Sequence, residues 1–283
     1  MSNAMQQISL LCARRPFLRR LAHVAFRLPA VGRTLHGISE SVVPPEDRIW
    51  VQIDMGAAQG LWLKVLPKWE PGYLLGCAEQ GMNEALSRHL KPGGCFYDVG
   101  AHIGFYSLIA ARLVGRDGHV LAFEPDPDNA HVIEQSAAKN DFPQISVIRC
   151  AVSSQPGRVR FRRSAHDGAS RMSGMVISGT RDAEPGSEVI SCEAVSLDAV
   201  SASGAAPDLI KIDVEGAEMK VLEGARSLLT RHKPVLIVEV HDERNYPVAQ
   251  AMLSALGYAL QPVWLRPGMT WARNFVAEAA SES

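Results

Sequence analysis

The stretch Tyr97-Asp-Val-Gly-Ala-His-Ile-Gly104 is an apolar strand pattern that runs into Asp-x-Gly-x-x-x-Gly and then into a helical pattern. Gly100 and Gly104 let the backbone pass close to a ligand where a Cβ would collide. The turn places Asp98 at the carboxyl edge of its strand, where open α/β sheets bind ligands. Around this turn, short apolar runs alternate with helical segments. Strands are expected at 95–99, 119–124, 146–151, 209–213 and 235–240, and helices at 105–113, 128–140 and 215–231. Such alternation predicts βαβ units and a parallel sheet covered on both faces. Residues 257–265 and 273–278 read as a closing hairpin. The expected fold is therefore α/β: a Rossmann-like, doubly wound, mostly parallel seven-stranded sheet with a C-terminal antiparallel hairpin. A Ser/Gly/Arg-rich interruption at 152–207 is expected to carry a strand or two and a functional loop.

The turn reads Gly-Ala-His-Ile-Gly, one glycine short of the Gly-x-Gly-x-x-Gly that seats a pyrophosphate on a helix N-terminus. An acid here repels phosphate and suits a cationic ligand that carries an amino group and a sulfonium. Glu124 ends the second strand 20 residues after Gly104. A carboxylate at that tip is placed to accept both hydroxyls of a ribose, although it also fits a helix-capping acid. Together the two elements specify adenosine-ribose binding without a pyrophosphate, which describes S-adenosylmethionine. Asp213 and Glu215 sit two apart at the end of the fourth strand, and Glu239 and His241 arrive at the same edge from the fifth. Helix capping is the competing account for Glu215 and, above all, for Glu218.

Composition narrows the field further. The 283 residues are 47% hydrophobic and 21% charged, with 29 Lys and Arg against 30 Asp and Glu. Ordinary globular usage excludes disordered and collagen-like readings, and the balanced charge weakens a duplex nucleic-acid reading. The apolar runs fall well short of the ~18 residues of a membrane span. The expected location is cytoplasmic, with peripheral contact at the inner membrane surface left open. The five cysteines, Cys12, Cys77, Cys95, Cys150 and Cys192, form no Cys-x-x-Cys pair and read as buried small hydrophobes. Three divisions are expected: an expression remnant at 1–4, a basic helix with β-hairpin extension at 5–90, and the catalytic domain at 91–283. The hairpin is read from 48–54 and 61–66. Trp50, Trp62, Trp69, Trp264 and Trp271 all lie outside residues 98–260. They either pack these additions or wall an acceptor pocket.

The chain resembles the FkbM family of S-adenosylmethionine-dependent methyltransferases in YDVGAHIGFYSL (97–108), VLAFEPDPDN (120–129), VIRCAVS (147–153), LIKIDVEGAEMKVLEGA (209–225) and PVLIVEVH (234–241). The family turn usually carries Asn where this chain has His102. The resemblance implies that Asp98, Gly100, Ala101, His102 and Gly104 hold the methionine part of the cofactor. It further implies that Glu124 and Pro125 hold the ribose, that Cys150 and Ala151 lie against the adenine, and that Asp213 faces the methyl group. It also implies a hydroxyl acceptor on a sugar, glycan or secondary metabolite. The chain lacks the Asp/Asn-Pro-Pro-Tyr signature of base-amino methyltransferases, which argues against a nucleobase target.

Asp213, Glu239 and His241 are the candidates for taking the acceptor's proton. A divalent cation held by Asp213, Glu215 and Glu239 is the alternative, with no metal the preferred expectation. Two rival functions stay open: a nicotinamide-dependent oxidoreductase, and a catalytically silent module that docks to a membrane or partner. Oligomeric state is not legible. Six arginines and one acid fall within residues 1–40, and 10–28 reads as a basic amphipathic helix. Such a helix either lies on an anionic membrane or packs with its Arg face in water. If it is a membrane-surface helix, the protein sediments with anionic vesicles and is released by high salt. Equal behaviour with neutral vesicles, or no sedimentation with either, supports the packed helix.

Overall fold

The computed structural model describes residues 48–66, 73, 80–163, 175–177, 188–263 and 274–280. The basic segment 10–28, Trp69, Trp264 and Trp271 lie outside the described residues. The chain divides into two compact units, Met1–Ala78 and Glu79–Ser283.

In the first unit, strands β1 (Ile49–Gln52) and β2 (Trp62–Val65) form the expected antiparallel hairpin, with Val51 opposite Leu63. Alternation sends Ile49, Val51, Leu63 and Val65 to the buried face. Trp50 and Lys64 share the other face, and the Lys64 ammonium lies 5.9 Å from the centre of the Trp50 ring, a cation–π contact.

The second unit opens with α1 (Gln80–His89). Then follow β3 (Cys95–Val99), α2 (Phe105–Val114), β4 (His119–Phe123), α3 (Pro127–Lys139) and β5 (Ile145–Ile148). The chain continues through β6 (Ala151–Val152), β7 (Gly157–Arg163), β8 (Met175–Ile177), β9 (Glu188–Val195) and α4 (Leu197–Ser203). It closes with β10 (Leu209–Ile212), α5 (Glu218–Glu223), α6 (Arg226–His232), β11 (Val235–Glu239), α7 (Asn245–Ala255), β12 (Tyr258–Val263) and β13 (Asn274–Ala279).

Seven strands form one sheet in the order β12-β13-β11-β10-β3-β4-β5. Its five central and edge strands from β11 to β5 are parallel, and β12 and β13 are the antiparallel hairpin. Every residue of β3 and β10 is buried, as helix-covered parallel strands require. The order reverses between β3 and β10, so the crevice of this fold opens at the carboxyl ends of those two strands. Tyr97, Ile210, Leu222, Leu236 and Phe275 belong to the principal core, and the Tyr97 hydroxyl donates to the Ala205 carbonyl at 2.7 Å.

Three local expectations are corrected. The strand expected at 146–151 is two: β5 ends at Ile148, the Cys150 N–H turns back to the Ile148 carbonyl, and β6 pairs with β9 instead. The interruption folds as a separate four-stranded sheet, β6-β9-β7-β8, around Phe161, Cys192 and Ala194. The single helix expected at 215–231 breaks into α5 and α6 at Gly224. A Cβ there would lie 2.2 Å from the Ser153 carbonyl oxygen, so the helix break is where this backbone presses on the β6–β7 connection. Gly224→Ala is expected to destabilise by ~1–3 kcal/mol, the range for forced overpacking. Gly204→Ala, where the nearest atom would be 3.6 Å away, is expected to stay within ~0.5 kcal/mol. Denaturant midpoints compare the two, and equal midpoints would refute the close approach.

Candidate cofactor and catalytic crevice

The β3–α2 turn is built from left-handed residues: Gly100 at φ 78°, His102 at φ 52° and Gly104 at φ 82°. His is among the residue types enriched there, so His102 keeps the backbone conformation that Asn adopts readily. The amides of Gly100 and Ala101 both donate to the Phe123 carbonyl at 3.1 Å. A Cβ on Gly100 would lie 1.9 Å from the Asp213 carbonyl oxygen. The requirement for glycine is thus imposed by the tip of β10, not by space kept for a ligand.

Glu124 stands just past β4 and is 5% exposed. The His102 amide donates to its Oε2 at 2.8 Å, and the Asp126 amide donates to its Oε1 at 2.9 Å. Each oxygen keeps a further lone pair, and burial pushes the carboxyl up to about 8 against the pull of those two amides. Asp126 caps α3 through the amides of Asp128 and Asn129. Arg163 of β7 then grips Asp126 at 2.7 Å and also contacts Asp128 and Glu188. Helix capping, read as the competitor for Glu124, belongs to Asp126.

Asp98 is fully buried. Its Oδ2 accepts from the Ser107 hydroxyl at 2.6 Å, and its Oδ1 lies 3.5 Å from the Lys211 ammonium. Lys211, itself 2% exposed, donates to the Gly100 carbonyl at 2.7 Å and lies 3.3 Å from Asp213 Oδ2. Sequence reasoning missed this lysine. The available signal was a cation inside the apolar strand Leu-Ile-Lys-Ile, since a buried Lys needs a charged partner.

On the other side of Asp213 lies His241. Glu218 Oε1 approaches its Nδ1 at 2.8 Å, while its Nε2 faces Glu215 at 3.2 Å, Asp213 at 3.7 Å and Glu239 at 3.8 Å. Burial alone would lower the imidazole pKa, but Glu218 and the other three carboxylates raise it to about 9. His241 is therefore held as an imidazolium at neutral pH, which runs against its expected role as a group that takes the acceptor's proton. Glu218 is corrected likewise. It accepts from the Gly216 amide as a cap would, yet it is fully buried and orients His241. Of the expected metal set, Asp213 and Glu239 come together, with His241 in place of Glu215 as the third member.

The remaining candidates sit around the β4 and β5 tips. Pro125 links Glu124 to the α3 cap, and Cys150 and Ala151 are buried at the junction between β5 and β6. Burial lifts the Cys150 thiol to about 12, so it serves as an apolar group.

The fold and the sequence have known relatives. The solved structure of a Pyrococcus horikoshii protein, 12% identical, covers 89% of this chain and 84% of its own with a TM-score of 0.50, a likeness of fold. Hexuronic acid methyltransferase AglP of Haloferax volcanii is 29% identical over 166 residues, 58% of this chain and 62% of that protein. The chain thus spans less than two thirds of that relative's length. The 31-O-demethyl-FK506 methyltransferase FkbM of Streptomyces tacrolimicus is 31% identical over 179 residues, 54% of this chain and 67% of that protein. The sequence profile of the Methyltransferase FkbM domain matches residues 98–260, which carry Asp98, Glu124, Asp213, Glu239 and His241. This chain belongs to the FkbM methyltransferase domain family.

Proposed function

We propose that this chain is an S-adenosylmethionine-dependent O-methyltransferase acting on a hydroxyl of a sugar, glycan or secondary metabolite, with residues 91–283 as the catalytic domain. The observation that carries the reading is the charge of the crevice. Asp213, Glu215 and Glu239 gather their charge at the β10 and β11 tips, and Glu124, protonated at neutral pH until a ligand binds, offers two oxygens with spare lone pairs at the β4 tip. Such a crevice repels a pyrophosphate and suits an adenosine whose other end is cationic. The relatives' names, a hexuronic acid methyltransferase and a 31-O-demethyl-FK506 methyltransferase, support an oxygen acceptor.

The cofactor supplies an electrophilic methyl on a sulfonium. In this reading, Glu124 accepts the ribose hydroxyls, and Cys150 and Ala151 form the apolar wall for the adenine. The backbone of Gly100, Ala101, His102 and Gly104 shapes the methionine end. Asp98 serves the methionine end from beneath, supporting that turn through Lys211 and Ser107. Asp213 orients the acceptor hydroxyl and, with Glu239, receives the proton it loses. His241, already charged, helps hold those carboxylates in place.

Calorimetry is expected to give micromolar binding of S-adenosylmethionine or its demethylated product. Glu124→Ala is expected to weaken it at least tenfold, as loss of a charged hydrogen-bond acceptor costs ~1.5–3 kcal/mol. Binding of NADH in place of either ligand would contradict the reading. Asp213→Asn is expected to lower turnover at least ~100-fold with little change in cofactor affinity, as for loss of a general base.

The raised pKa of Glu124 sets a pH dependence. The folded value of about 8 exceeds the ordinary 4.5, so its stabilising contribution is complete below 4.5 and is lost as pH rises through 8. Without ligand, the wild type is expected to lose more stability than Glu124→Gln between pH 5 and 9. Ribose hydroxyls favour the ionised carboxyl, so cofactor binding at pH 7 is expected to release about one proton. Calorimetry in buffers of different ionisation enthalpy measures that release, and no release in the wild type would contradict the role of Glu124.

A further inference from the structure

We propose that Asp213, Glu239, His241 and Asn274 form a binding site for an oxygen-preferring divalent cation of the Mn2+ or Mg2+ kind. One ligand atom each from Asp213, Glu239 and His241 lies within 4.8 Å of the others. In His241, the Nδ1 is taken by the buried Glu218 carboxylate at 2.8 Å, which turns Nε2 towards the carboxylates of Glu215, Asp213 and Glu239, at 3.2, 3.7 and 3.8 Å. A carboxylate on one imidazole nitrogen with the other facing the ion is the usual way a ligating histidine is oriented. The separations of 3.7 and 3.8 Å from Nε2 fall between the ~3.0 Å edge and the ~4.2 Å diagonal of an octahedron with ~2.1 Å bonds, so side-chain shifts of under about 1 Å bring the atoms onto an edge.

Asn274 is the independent observation. It lies on β13 directly opposite Glu239 of β11 in the antiparallel register, so the two side chains leave the sheet on the same face. It is 5% exposed, and its Oδ1 has no hydrogen-bond partner. A buried amide oxygen left unpaired is costly, and a hard cation beside Glu239 would satisfy it. Two carboxylates, one amide oxygen and one imidazole form a donor set that suits Mn2+ well and Mg2+ adequately. The local charge agrees: four carboxylates, Asp213, Glu215, Glu218 and Glu239, face one imidazole, while Lys211 is shared between Asp98 and Asp213.

This inference rests on the methyltransferase reading and revises it at one point: to bind the ion His241 gives up its proton, and Asp213 and Glu239 act as ligands while the ion, rather than these carboxylates alone, holds the acceptor oxygen and lowers its pKa at the β10 edge. The experiment is therefore arranged to judge the two separately. Chelator-treated full-length protein is titrated with Mn2+ and followed by loss of the free-ion electron paramagnetic resonance signal. S-adenosylmethionine binding is measured by calorimetry in chelator. The expected result is one Mn2+ per chain with micromolar Kd, weakened at least tenfold in Glu239→Gln and in Asn274→Ala. Circular dichroism melting confirms that each variant is folded, and either folded variant suffices for the comparison. Absence of Mn2+ binding at millimolar concentration overturns the site whether or not the cofactor binds. Unchanged Mn2+ affinity in a folded variant overturns it too. Mn2+ binding without cofactor binding upholds the site and refutes the methyltransferase reading.

Discussion

The tips of β3 and β10 meet backbone to backbone, and the rest of the crevice follows from that contact. Gly100 rests so close to the Asp213 carbonyl that no side chain fits between them. Lys211 then ties the contact from beneath by donating to the Gly100 carbonyl while facing Asp98 and Asp213. All of this occurs at 0–2% exposure for Asp98 and Lys211, where breaking a charge pair costs ~3–5 kcal/mol and leaves an uncompensated ion. The β3–α2 turn and the tip of β10 are thereby tied together by the Gly100 approach and by Lys211.

A second chain of contacts reaches the ribose end. Arg163, on the separate four-stranded sheet, holds Asp126, and the Asp126 amide holds Glu124. The other oxygen of Glu124 is held by the His102 amide, in the same turn that Lys211 secures. The interruption between β6 and β10 is therefore more than a loop over the site, because its Arg163 sets the position of a carboxylate on the main sheet. Two amide donors and a buried carboxyl oppose one another, and the balance leaves Glu124 sensitive to a ligand that offers hydroxyl donors.

Much of this was legible because it depends on local pattern. Alternating apolar runs and helical periods identify the seven-stranded sheet, and acids at strand ends identify Glu124, Asp213 and Glu239. What escaped depends on distant neighbours. The break at Gly224 reflects Ser153, some seventy residues earlier in the chain, and periodicity carries no trace of it. Glu218 satisfies every local rule for a first-turn acid, yet its partner His241 arrives from another strand. Asn274 matters only because β13 sets it opposite Glu239, a register that no short-range signal encodes. Gly100 was expected to pass close to a ligand, whereas the atom it approaches belongs to the chain itself.

On the function proposed above, the crevice at the β3–β10 switch point takes an adenosine with a cationic tail. A crystal structure with S-adenosylhomocysteine tests it most directly. The ribose hydroxyls are expected within hydrogen-bond distance of Glu124, the adenine beside Cys150 and Ala151, and the sulfur facing Asp213. A ligand bound elsewhere, or one whose ribose makes no contact with Glu124, would contradict it.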